Sequence, residues 1–171
     1  MANFDPAFDR TITNEGGYKL TDIASDKGGL TYAGIARKPN PHWAGWRYID
    51  AKDMNNLELS KEVRNFYKDE FWDAVGGDDI DDQVIAESIY DFGVNAGVST
   101  AVKLAQLVVG SVPDGRIGPK TLEKLNALEA GDFVAKYTVA KIARYAEICN
   151  RDRSQSVFLL GWINRTIKGL A

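Results

Sequence analysis

Apolar residues recur every three or four positions along most of this chain, and glycines break the recurrence. Such spacing lines one face of an α-helix, whereas a half-buried strand needs strict alternation. Phe4, Phe8 and Ile12 form the first such face. Asp5 reads as its N-cap, Pro6 as its first helical residue and Gly16-Gly17 as its stop. Val63, Phe66, Tyr67, Phe71 and Ala74 predict a helix capped by Ser60. Ile85, Ile89, Phe92 and Ala96 predict one ending near Gly97, and Ser99 reads as the cap of the next. Pro119 opens a helix, Asp132 caps another, and Phe158, Trp162 and Ile163 seed the last. Residues 18–50 lack this periodicity. They have room for a helical turn around Thr31 to Ala36 or a small β-hairpin across 18–31. The fold class is therefore mainly α, a helical bundle with a small irregular lobe.

With 171 residues the chain can bury a core without staples, and its lone cysteine, Cys149, excludes an intrachain disulfide. Cys149 lies at helical spacing from Tyr145 and is read as a core thiol. The first ten residues carry two acids and no apolar run, so neither a signal peptide nor membrane insertion is expected. His42 is the only histidine, which leaves no His/Cys metal cluster. Neither a phosphate-cradling glycine loop nor a Gly-x-Ser-x-Gly elbow is present. No metal and no cofactor are expected. Charge is uneven: residues 1–87 hold 10 Lys+Arg against 17 Asp+Glu, and residues 88–171 hold 11 against 7. The basic half suits an anionic polymer, but its charges are spread out, and an ordinary solvated surface explains them equally. With an acidic first half and no reading motif, nucleic acid is not an expected partner.

The chemistry concentrates between Glu15 and Ile35. Cleaving a glycosidic bond needs an acid to protonate the leaving oxygen and a second group to attack or to position water. Glu15 falls in the last turn of the first helix, where the helix dipole disfavours the ionised carboxylate. Gly16 and Gly17 leave space for a sugar, Asp26 stands before Gly28-Gly29, and Thr31 carries a hydroxyl that could hold a water. On spacing alone, the plainer reading is favoured: an exposed helix end followed by ordinary turn aspartates.

The motifs shift that balance. Glu15-Gly16-Gly17-Tyr18, followed by Asp26, Gly28-Gly29, Thr31 and Gly34-Ile35, resembles the catalytic segment of the phage-type muramidases of glycoside hydrolase family 108. The segment departs from the family at Asp22-Ile23, where many members have Asp-Pro, so Asp22 is given little weight. Tyr90 to Gly97 is similar to the helix that lines the cleft of lysozyme-like folds, where an asparagine, here Asn95, contacts substrate. Asp114 to Thr121 resembles the loop-to-helix signature of peptidoglycan-binding modules. A structural reading of that segment is compatible: Asp-Gly turns the chain, Ile117 plugs the core and Pro119 starts a helix.

The resemblance implies a lysozyme-like fold with a catalytic muramidase region over residues 1–87. A peptidoglycan-binding-like region over 88–171 would pack on the same body. It implies cleavage of the β-1,4 bond between N-acetylmuramic acid and N-acetylglucosamine, with Glu15 as acid and Asp26 and Thr31 handling water. Gly16, Gly17, Tyr18, Tyr32, Asn95, Trp43 and Trp46 are the candidate substrate contacts. For the two tryptophans core packing is the commoner alternative, and for Trp72 it is the preferred one. The implied setting is a prophage endolysin, made in the cytoplasm and released to the cell wall through a holin-type pore, with peptidoglycan glycan strands as partner. Lytic transglycosylase action and a non-catalytic wall-binding or secretion-accessory module are the alternatives.

Overall fold

The computed structural model describes residues 1–22 and 29–168. Its elements run α1 (Phe4–Asn14), β1 (Leu20–Thr21), β2 (Thr31–Tyr32), β3 (Ile35–Ala36), α2 (Trp46–Asp50), α3 (Leu57–Tyr67), α4 (Gln83–Ala96), α5 (Val98–Val108), α6 (Pro119–Asn126), α7 (Ala130–Arg151) and α8 (Ser156–Lys168). This is the mainly α class expected from the periodicity and the lysozyme-like fold that the resemblance implies. The chain divides into two compact units, Asn3–Asp73 and a second comprising Met1–Ala2 and the chain from Ala74 onward. The expected division at residue 87/88 falls inside α4.

In the first unit, α1 begins earlier than its proline suggests. Asn3 is the N-cap, and its side chain accepts from the Asp5 N–H at 3.0 Å. Pro6 thus sits inside the first turn, where a missing N–H costs nothing. At the other end the Gly16 N–H donates to Thr13 O (3.2 Å) and the Gly17 N–H to Ile12 O (2.8 Å), with both glycines at positive φ. These two bonds are the Schellman closure. α3 likewise starts before Ser60, because Asn56 accepts from the Glu58 N–H at 2.9 Å. It continues as a π-helical turn over Lys68–Trp72, where the Asp73 N–H donates to Lys68 O at 2.9 Å. The apolar faces of α1 and α3 meet through aromatic rings. Phe4 lies 5.4 Å from Phe8 and 5.7 Å from Trp72, and Phe8 lies 6.0 Å from Tyr67. Each such pair is worth about 1 kcal/mol beyond the area it buries.

The expected helical turn at Thr31 to Ala36 is instead a hairpin. β1, β2 and β3 form one antiparallel sheet in that order, with Leu20 opposite Tyr32 and Tyr32 opposite Ile35. Ala33 (φ 48°) and Gly34 (φ 80°) make its two-residue turn. Two successive positive φ values match the twist of paired strands and are incompatible with a right-handed helix.

The second unit is helical. Asp82 caps α4 by accepting from the Val84 and Ile85 N–H groups. Gly97, at φ 88°, ends α4 and is the N-cap of α5, so Ser99 lies within α5. Glu129, not Asp132, precedes α7. Ile85, Ile89, Phe92, Val102, Ala105, Leu125 and Phe133 are buried. The Tyr137 hydroxyl, also buried, donates to Ala101 O at 2.9 Å.

The Asp114–Thr121 segment is organised by one buried amide. Gln106 is 1 % exposed. Its Nε2 donates to Asp114 Oδ1 (2.8 Å) and Arg116 O (2.9 Å), and its Oε1 accepts from the Gly115 N–H (2.9 Å). The Gln106 bond, with help from the Arg116 N–H, holds the Asp114 carboxyl below its ordinary pKa. Gly115 turns the chain at φ 81°, and a Cβ there would sit 2.7 Å from Ser99 Oγ. Ile117 packs beside Gly76, and Pro119 opens α6. Replacing Gln106 by Leu should cost about 2 kcal/mol by stranding these polar partners, read as a lower urea midpoint with an unchanged slope.

Lys141 on α7 is enclosed by aromatic rings, its Nζ 4.6 Å from the Tyr137 ring centroid and 5.1 Å from that of Phe92. Burial lowers its pKa from 10.5 to about 8, against an opposing pull from Asp91. Between those values the unfolded chain holds a proton that the folded one has released, so stability rises with pH from about 8 to 10.5. Lys141→Met should therefore stabilise the protein at pH 7, on the order of 2–3 kcal/mol. The advantage should vanish by pH 11, as followed by thermal melts across that range.

Candidate active site

Glu15 is the C-cap residue of α1 and is half-buried. The Schellman closure fixes where it points, because Gly16 and Gly17 take the backbone away immediately beyond it. A Cβ on either glycine would meet nothing within 4 Å. The pair is thus required by backbone conformation, and it leaves open space beside the carboxylate.

Gly34 is different. A Cβ built there would stand 2.4 Å from Tyr67 Oη and 3.1 Å from both Cγ and Oε2 of Glu15. The turn of the β2–β3 hairpin therefore lies directly against the Glu15 carboxyl and the Tyr67 hydroxyl. Tyr67 is buried and anchors that turn by donating its hydroxyl to Ala33 O at 2.9 Å. α1, α3 and the hairpin meet at this point. Gly34 and Tyr67 were not singled out from the sequence. Gly34 stood in the quoted motif only as a match, and Tyr67 read as one more residue of an apolar helix face.

Thr31 on β2 is half-buried, and its Oγ1 donates to Gly29 O at 3.1 Å. With its proton committed, that hydroxyl can only accept from a further partner. Asp26 lies outside the described residues.

The aromatic candidates form a row. Tyr18, 45 % exposed, lies 6.5 Å from Tyr32, which stacks at 6.5 Å on Trp43. Burial raises both tyrosine pKa values; Asp9 adds to the effect on Tyr18, and Tyr18 adds to that on Tyr32. Tyr32 and Trp46 are 3 % and 4 % exposed. Trp46 was a candidate sugar contact with core packing as the commoner alternative, and the structure places it in the core. Its Nε1 donates to Asn40 O at 2.7 Å, Arg37 covers its ring at 5.1 Å, and it contacts Trp43 at 5.0 Å. Trp43 remains half-buried and lines an open cavity of about 380 Å³ with Pro39, His42, Phe66, Asp69 and Glu70. Sequence could not separate the two tryptophans, since both follow the same proline loop.

In the second unit, Asn95 near the end of α4 is half-buried, and its Nδ2 donates to Asp91 O at 2.7 Å and to Asp91 Oδ2 at 3.3 Å. Among the described residues no cluster of three His, Cys, Asp or Glu could hold a metal ion, and no helix is long and apolar enough to cross a membrane.

The chain can now be set beside known proteins. No curated protein matches it significantly. Among solved structures, that of Brucella abortus SagA is similar, with a TM-score of 0.72 and 26 % identity over 97 % of this chain and 90 % of that one. Residues 100–167 match a family described as Predicted Peptidoglycan domain. Residues 8–97, which carry Glu15, Thr31, Gly34 and Tyr67, match the family Glycosyl hydrolase 108. The two matches together describe a peptidoglycan hydrolase, and the chain belongs to glycosyl hydrolase family 108.

Proposed function

We propose that this enzyme is an N-acetylmuramidase that cleaves the β-1,4 bond between N-acetylmuramic acid and N-acetylglucosamine, with Glu15 as general acid. The observation that carries the reading is the setting of Glu15: half-buried at a helix end, backed by Gly34 and Tyr67, with open space over Gly16 and Gly17. A carboxyl fixed from behind and approachable from the front suits proton delivery to a glycosidic oxygen. As the leaving oxygen takes the proton, positive charge spreads over the sugar ring and water attacks its anomeric carbon. Thr31, whose hydroxyl accepts but no longer donates, would accept a hydrogen bond from that water and leave a lone pair for attack. Asp26 is assigned as the base that takes the one proton the water loses, its other hydrogen staying on the new anomeric hydroxyl. Exposed Tyr18 and half-buried Trp43 are the rings best suited to lie against sugar, and the resemblance to lysozyme-like folds keeps Asn95 as a candidate contact.

The wall segment at 100–167 would hold the enzyme on its polymer between cuts. The likeness of the Glu15–Tyr18 segment to phage-type muramidases favours a prophage endolysin. In that setting the enzyme is made in the cytoplasm and reaches the wall once a holin-type pore opens.

Glu15→Gln should keep the fold, with an unchanged melting profile, and lower the rate of wall clearing at least about a hundredfold. Undiminished clearing by a folded Glu15→Gln variant would overturn the assignment. Two glycine variants separate conformation from contact. Gly16→Ala should cost about 1 kcal/mol through its left-handed backbone alone and spare most activity. Gly34→Ala adds a collision with Tyr67 and Glu15 to the same strain, so it should cost well over about 2 kcal/mol and abolish turnover. Urea titration and clearing rates measured on the same preparations check both.

A further inference from the structure

The cavity beside Trp43 has no part in proton transfer or water attack, yet its chemistry is distinctive. One wall is the loop Pro39–Trp43, and the other is the face of α3 and its π turn that presents Glu62, Phe66, Asp69 and Glu70. The aromatic part is rigid. Trp43 packs edge-on against Phe66 at 6.2 Å and is pinned by its Nε1 donating to Glu62 O at 3.3 Å. The polar part is acidic. Glu62 faces Arg47 at 3.4 Å, and Lys68 is turned to Asp73 at 2.5 Å. Among the described residues no cation pairs with Asp69 or Glu70. Neither lysine nor arginine lines the cavity. Its volume of about 380 Å³ suits one long side chain or one sugar ring.

Aromatic faces joined to uncompensated carboxylates select an ammonium group on an alkyl stem: the rings take the methylenes, and ring faces and carboxylates together take the charge. Peptidoglycan presents such a group, because its glycan strands carry short peptides with a diamino acid whose side-chain amine is free wherever it is not cross-linked. We propose that this cavity receives the amine-bearing side chain of a peptidoglycan stem peptide, so that the enzyme prefers strands with uncross-linked stems. The proposal rests on the reading of the chain as a peptidoglycan hydrolase. Its position agrees with that role. Trp43 stacks on Tyr32 of the hairpin, and Phe66 touches Tyr67, whose hydroxyl backs the same turn as Glu15.

The test uses binding, which does not require turnover. A soluble disaccharide-peptide with its diamino acid amine free, and the same compound acetylated at that amine, are titrated calorimetrically into the wild-type protein and into the Asp69→Asn/Glu70→Gln double variant. Both substituted residues are exposed, so the variant should fold. Wild type should bind the free amine about tenfold more tightly than the acetylated form, and the double variant should bind both alike. Three results would overturn the proposal: equal affinities in wild type, a preference that survives in the double variant, or no binding of either compound. A parallel fall in both affinities on substitution, with the ratio kept, would assign the cavity to a sugar ring instead. Reducing ends released from whole walls are scored separately. Their absence after digestion with the wild-type enzyme would reject the muramidase reading while leaving the amine preference to stand or fall on the titration.

Discussion

The missing side chain at Gly34 is the constraint on which the first unit turns. Three elements converge where a Cβ would otherwise stand: the end of α1 with Glu15, the buried Tyr67 of α3, and the hairpin turn itself. None of the three could close on the others around a methyl group. The Tyr67–Ala33 hydrogen bond and the aromatic contacts of Phe8 and Phe66 with Tyr67 then hold the junction from behind. The Schellman closure after Glu15 acts on the same spot, since it fixes the last helical residue while sending the chain away from it. Steric economy behind the carboxyl and open space in front of it are thus two results of one arrangement of glycines.

The second unit is built on a different device. Gln106, an uncharged polar side chain buried within a helix, holds the Asp114–Arg116 turn by its amide in place of secondary structure. The residues that make Asp114–Thr121 look like a wall-binding signature are accounted for internally. The aspartate caps a turn, Gly115 takes a left-handed backbone against Ser99, Ile117 packs inward and Pro119 starts α6. A sequence motif shared with wall-binding modules can therefore be shared because it makes the same turn, without any of its residues touching the polymer.

Much of this was legible in the sequence, and the exceptions share a cause. Period-four apolar spacing located α1, α3 and α4 because a single buried face determines it. Helix starts were misplaced by several residues where two capping residues competed. Asn3 won over Asp5, Asn56 over Ser60 and Gly97 over Ser99, and no local propensity ranks such neighbours. For residues 18–50 the spacing left a helical turn around Thr31 to Ala36 and a small hairpin both open; Ala33 and Gly34 take positive φ, and the Tyr67 hydroxyl that donates to Ala33 O is a tertiary partner no local spacing encodes. At the candidate site, Glu15, Gly16 and Gly17 were visible as a motif. Tyr67 was hidden in an apolar face, and the different fates of Trp43 and Trp46 depended on contacts with Asn40 and Arg37 that no spacing encodes.

The chain thus carries a half-buried carboxyl held by a glycine-lined junction and, further along, a segment that matches peptidoglycan domains. The chemistry assigned to that carboxyl is proton donation followed by attack of water, and it leaves a specific product. The most direct test is to digest purified peptidoglycan with the wild-type enzyme and identify the new glycan ends by mass spectrometry. The account predicts ends bearing reducing N-acetylmuramic acid, with one oxygen from solvent when the digest is run in labelled water. Ends carrying a 1,6-anhydro sugar would contradict it, because the sugar's own hydroxyl would then have taken the place of water.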